Sequence, residues 1–172
     1  MTNSHPPAGW IGVCPTGGAG GKLIEIGEWL NGEGFKDWEH AFVSIGSGLL
    51  VQAEPGGAQV ARVTDHPVVH WCENIAALAT PAQLAAVANA AKHYVGTPYS
   101  PEDYFALALH RFRIPAPGLR AYIASSHHMI CSQLADQCYA DAGVRIFTDN
   151  RWPGYVTPLS LYNRDLQLGG MK

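Results

Sequence analysis

Cys131 opens the segment CSQL at the point where a helical run of apolar residues begins. A thiol there is suited to nucleophilic attack, because the unpaired N–H groups and dipole of a helix N-terminus stabilise a thiolate and can hold an oxyanion. The same residue also fits as the first apolar member of a buried stripe, as Cys138 does further along the run. A nucleophilic cysteine needs a base from elsewhere in the fold. Of the eight histidines, His40 has the most distinctive setting, since it heads the run HAFVSI. By period-two alternation it shares a face with Phe42 and Ser44, while Ala41, Val43 and Ile45 face the other way. His5, His66 and His110 lack such a setting, and His70 in VVHWC reads as a core or edge residue. His127 and His128 are adjacent, so they point in different directions. With no third ligand at a familiar spacing, they shape the approach to Cys131 rather than hold a metal.

The group that orients the histidine must be polar and lie on its side of the sheet. HAFVSI and LLVQAE form a hairpin through Gly46, Ser47 and Gly48. A three-residue loop with Ile45 opposite Leu49 sets Glu54 across from His40 and Gln52 across from Phe42, both on the His40 face. A two-residue loop at Ser47 and Gly48 would flip them away, so the assignment depends on register. A polar edge strand with solvated side chains is the alternative.

The elements that must position these residues follow from periodicity and capping signals. Residues 10–14 read as a strand, 17–21 as a flexible glycine-rich loop, and 22–31 as a helix with Gly32 as its stop. Residues 38–72 hold the short runs HAFVSI, LLVQAE, AQVARV and VVHWC between glycine-rich turns, the texture of an antiparallel meander. Thr80 before Pro81 starts a helix over 81–95 that Gly96 closes, and Ser100 before Pro101 starts another through 112, broken by RIPAPGLR. A further helix spans 131–142 with Gly143 as its stop, 144–147 read as a short strand, and the tail from 148 reads as loop with one short helical turn. The predicted fold is α+β: one domain over 1–172, with 1–9 flexible, and an antiparallel sheet packed against helices.

Bulk properties limit the functional classes. A chain of 172 residues, 47% hydrophobic, builds one sizeable core. Only 15% of residues are charged and the net charge is -3, which offers no field for nucleic acid or an anionic membrane. No stretch resembles a signal peptide or approaches a membrane span, so a soluble cytoplasmic protein is expected. Cys14, Cys72, Cys131 and Cys138 lack zinc spacing and are too few for a disulfide scaffold, so free thiols are expected. On one helix, Cys131 and Cys138 would lie about 10 Å apart, beyond bridging distance. TGGAGGKL fails as a phosphate loop, having Thr16 where glycine is required and Leu23 where a hydroxyl is required.

In combination, these pieces resemble the circularly permuted NlpC-like (papain-like) cysteine peptidase and amidase families. Those include YiiX-like bacterial amidases and lecithin:retinol acyltransferase-like enzymes. The resemblance rests on a strand led by His40, a polar residue twelve positions on followed by alanine (Gln52 and Ala53), and a late CSQL opening a helix. An early strand, a helix before the histidine, and the G-x-P-Y element formed by Gly96, Thr97, Pro98 and Tyr99 extend it over most of 10–147. The chain departs from the pattern in having glutamine at 52, where glutamate or histidine is common, and in lacking an acidic residue near the first strand. Glu54 remains a rival carboxylate.

The resemblance implies a permuted papain-like fold and a cysteine hydrolase cleaving an amide or ester bond through an acyl-enzyme on Cys131. His40 acts as base, Gln52 or Glu54 orients it, and Tyr99 contacts substrate. It also implies that no cofactor or metal is needed and that the substrate is a peptide or small amide, with cell-wall peptide as the leading class. Acyl transfer or thioester chemistry on lipid-like substrates is the nearest alternative, with Tyr99, Tyr104, Phe105 and Trp152 available for an apolar mouth. A catalytically silent binding module with the same cleft is the rival from another class. The sequence carries no sign of oligomeric state.

Overall fold

The computed structural model describes residues 6–15, 38–54, 56–98, 131–149 and 156–170. The five strands are β1 (Ile11–Cys14), β2 (His40–Gly46), β3 (Leu49–Glu54), β4 (Gly57–Arg62) and β5 (His70–Trp71). They form a single antiparallel sheet in the order β4-β3-β2-β1-β5. A 3₁₀ turn, Val63–Asp65, leads out of β4. The described helices are α1 (Glu73–Ala76), α2 (Pro81–His93), α3 (Cys131–Asp141) and α4 (Pro158–Gly169).

Each face of the sheet carries its own apolar cluster. On one face Ile11, Val13, Ala41, Val43, Val51 and Ala53 are buried together with Val87 and Ala91 of α2 and Leu134, Ala135, Cys138 and Tyr139 of α3. Burying a side chain such as Leu134 contributes about 1.5–3 kcal/mol, so this interface fixes α2 and α3 against β2 and β3. The other face holds a smaller cluster of Cys14, Phe42 and Leu50 with Trp71 packed against it. Gly12 belongs to this side: a β-carbon there would run into the Phe42 ring.

The β2–β3 hairpin decides which residues share the His40 face. Its turn is the two-residue form, with Ser47 at φ 54° and Gly48 at φ 73°. Yet Phe42 pairs with Gln52 and Ser44 with Leu50, because Ile45 is bulged out between Ser44 and Gly46. The bulge takes up one residue of β2 and restores the pairing that a three-residue loop would give. Gln52 and Glu54 therefore stay on the His40 side.

Capping follows the local sequence. Thr80 Oγ1 accepts from Gln83 N at 3.3 Å, while Gln83 Oε1 accepts from Thr80 N at 3.0 Å. Helix α3 ends with Gly143 at φ 74°, Gly143 N donating to Ala140 O and Val144 N to Tyr139 O, both at 2.9 Å.

Two expectations change. Residues 144–147 are not a strand, since the chain leaves the α3 cap in an irregular path. The tail is not mostly loop, because Pro158–Gly169 is a full helix. Its start repeats the signal read at Thr80: Thr157 precedes Pro158, and Thr157 Oγ1 accepts from Ser160 N at 3.0 Å. In the N-terminal segment, Gly9 N donates to Ser44 O at 2.8 Å and Gly9 O accepts from Tyr139 Oη at 2.9 Å. The expected helices at 22–31 and 100–112, the glycine-rich loop at 17–21, and Tyr99, Tyr104, Phe105, His127, His128 and Trp152 lie outside the described residues. Gly96 and Thr97 pair with the start of β4, Ala58 N donating to Thr97 O and Gly96 N to Ala58 O, each at 2.8 Å.

Candidate active site

Cys131 and His40 come together although they are far apart in the chain. Cys131 is the first residue of α3, and the helix is anchored there by Ser132 Oγ donating to Val156 O at 2.6 Å. Cys131 belongs to the buried apolar cluster and is also a hydrogen-bond partner of the His40 ring. The pair is shielded from water, with Cys131 1% and His40 2% exposed.

His40 sits at the start of β2, paired with Cys14 of β1. Its Nε2 lies 3.0 Å from Gln52 Oε1 and 3.9 Å from Glu54 Oε1. Continuing the β2–β3 register sets Glu54 directly across from His40, yet the hydrogen bond runs diagonally to Gln52. Long side chains reach such diagonal neighbours readily. Glu54, whose side chain is 38% exposed, accepts from Gln59 Nε2 at 2.9 Å instead. Because the Gln52 oxygen only accepts, His40 Nε2 carries the proton in this contact.

Burial alone disfavours a charged His40 ring. The hydrogen bond and charge of Cys131, the hydrogen bond of Gln52 and the charge of Glu54 outweigh it, and His40 titrates above its ordinary value of 6.5. The other three cysteines are held as thiols. Burial, followed by the charges of Cys131, Glu54 and Glu39, pushes Cys14 up to about 12. Burial and Asp141 push Cys138 up to about 12, and burial with Asp165 raises Cys72 well above 9.0. None of the four cysteines forms a disulfide.

His66, set aside in the sequence, belongs to this site. The turn after β4 brings it over the His40 face, where its ring stacks on Phe42 with centroids 4.9 Å apart and planes at 24°. His66 Nε2 lies 2.9 Å from the same Gln52 oxygen, and Nδ1 lies 3.5 Å from Cys14 Sγ. No local signal marks it, because its position depends on how the turn after β4 folds back.

His70 forms a separate group with Cys72 and Asp165, whose ligating atoms all lie within 4.8 Å of one another. Asp165 Oδ2 accepts from His70 Nε2 at 3.0 Å, and Oδ1 accepts from Asn74 N at 2.8 Å and Ile75 N at 3.0 Å. Burial opposes ionisation of Asp165, but these donors prevail and hold its carboxyl below the usual 3.8. The carboxylate thus caps α1 and ties it to α4 and β5. His70 is an edge-strand residue with a structural partner.

No protein-family model matches the chain, and comparisons with curated proteins and with solved structures gave no match.

Proposed function

We propose that this chain is a cysteine hydrolase of permuted papain-like architecture, acting on an amide or ester bond. The observation that carries the reading is His40 itself. A ring only 2% exposed is hydrogen-bonded to Cys131 and, at 3.0 Å, to Gln52 Oε1; against burial, these partners and the Glu54 charge raise its proton affinity above the ordinary value, the environment that favours an imidazolium beside a thiolate.

In this reading Cys131 Sγ attacks the carbonyl carbon. The N–H groups at the start of α3 stabilise the oxyanion, and His40 passes its proton to the leaving amine or alcohol. Water, deprotonated by His40, then releases the acid from the thioester. Gln52 contributes by fixing the ring, a task an amide performs through its oxygen alone. The thiol must be uncovered for substrate to reach it, since its exposure is 1%. Cell-wall peptide is the leading substrate class by the resemblance set out above, with Tyr99 the residue proposed to contact it.

An activated ester such as p-nitrophenyl acetate tests the chemistry without knowledge of the natural substrate. The reading expects a burst of nitrophenol, an acetyl group on Cys131 by peptide mass mapping, and release of acetate in water alone. Acylation elsewhere, or none, overturns it. An adduct that persists until an amine or alcohol is added assigns the chain to acyl transfer instead.

A further inference from the structure

We infer that His66 is a positioning residue of this site, fixing the orientation of the Gln52 amide and through it the Nε2–H of His40, the proton the ring keeps in its neutral form. The inference rests on the function proposed above and adds a residue to it.

Gln52 Oε1 lies within hydrogen-bonding distance of both His40 Nε2, at 3.0 Å, and His66 Nε2, at 2.9 Å. A carbonyl oxygen offers only lone pairs, so both nitrogens carry protons. Turning the amide over would bring its NH₂ group against two N–H donors. With His40 alone the amide could turn at little cost, donate to a bare Nε2, and leave the His40 proton on Nδ1, the nitrogen that must receive the proton from Cys131. The second donor removes that freedom.

His66 is itself held in the required tautomer. Its Nδ1 is 3.5 Å from Cys14 Sγ, and Cys14, pushed up to about 12, is an S–H donor at neutral pH. A bare Nδ1 accepts that proton and leaves Nε2–H for Gln52. Burial and the charge of His40 lower the affinity of His66 for a second proton, against the opposing pull of Glu54 and Asp65. A neutral His66 therefore accompanies a charged His40, although their ring centroids are only 5.8 Å apart. The stack on Phe42 sets the plane of the ring. The result is a continuous chain of contacts from Cys14 through His66, Gln52 and His40 to Cys131.

Two substitutions separate positioning from packing. His66→Phe keeps an aromatic ring on Phe42 and removes the donor, whereas His66→Gln returns an N–H at a comparable reach. The readouts are the iodoacetamide rate at Cys131 across pH and the ¹⁵N resonances of the His40 ring, both taken on folded, full-length protein. His66→Phe should slow alkylation near neutral pH about 10-fold, as expected when a reacting group loses its alignment, and, at alkaline pH where the His40 ring is neutral, should move its proton toward Nδ1. His66→Gln should restore most of the rate and the Nε2–H tautomer. Equal rates and an unchanged tautomer in His66→Phe overturn the inference, as does an equal loss in both variants with the tautomer unchanged. If wild-type Cys131 reacts no faster than an ordinary thiol, the proposed function itself fails, whatever the His66 variants do.

Discussion

Gln52 Oε1 lies 3.0 Å from His40 Nε2, although Glu54 is the residue that the strand register sets across from that histidine. The amide therefore takes the orienting contact. The carboxylate, 3.9 Å away and bonded to Gln59, supplies only a background charge.

That division of labour is open to mutation. Gln52→Ala should reduce turnover of an activated ester about 10- to 1,000-fold, the range seen when a positioned polar group is lost, while Glu54→Gln should have little effect. Steady-state rates on matched, folded variants decide the matter. A collapse in Glu54→Gln with near-silent Gln52→Ala makes the carboxylate the orienter.

Replacing the thiol should change the titration of its partner. In Cys131→Ala two of the interactions that raise His40 disappear while the burial that lowers it remains, so the ring should titrate below its wild-type value. NMR titration of the His40 ring measures this directly, and an unchanged or higher value would mean that the two groups do not interact.

The same raised titration fixes a sign for stability. A histidine whose native pKa exceeds its unfolded value of 6.5 contributes stability that is fully present below that pH and is lost as pH rises through the native pKa. The destabilisation caused by His40→Asn, measured by urea unfolding, should therefore be larger in mildly acidic than in alkaline solution. The opposite trend would show that the native site favours the neutral ring.

Asp165 should matter to stability without touching the chemistry. It is 2% exposed and accepts from the half-buried His70 and Asn74 and from the buried Ile75, so Asp165→Ala removes the shared acceptor of these groups. A loss of about 3 kcal/mol is expected. Unfolding curves test this, with Cys131 alkylation in the folded variant serving as the control that should stay near wild type.

Much of this architecture is legible in local sequence. Period-two runs announce β2 and β3, Thr80 before Pro81 announces α2, and Gly143 announces the end of α3. The tail helix carries a local signal as well, since Thr157 before Pro158 repeats Thr80 before Pro81, although the tail from 148 reads as loop by its lack of period. Other features depend on three-dimensional relations that no short window contains. The Ile45 bulge reverses the consequence of a two-residue turn, and the fold-back after β4 brings His66 onto Phe42. The diagonal reach from His40 to Gln52 depends on side-chain length and on Glu54 having a partner in Gln59.

The most direct test of the account is the rate at which iodoacetamide modifies Cys131 at about pH 6, in wild type and in His40→Ala, with the other cysteines as internal references. Cys14 and Cys138 are pushed up to about 12 and Cys72 is raised well above 9.0, so none of these competes as a thiolate. The account predicts that Cys131 is modified first in wild type and that this preference disappears in His40→Ala. Labelling of Cys131 that is no faster than that of Cys14, Cys72 and Cys138, or that survives loss of the histidine unchanged, would contradict it.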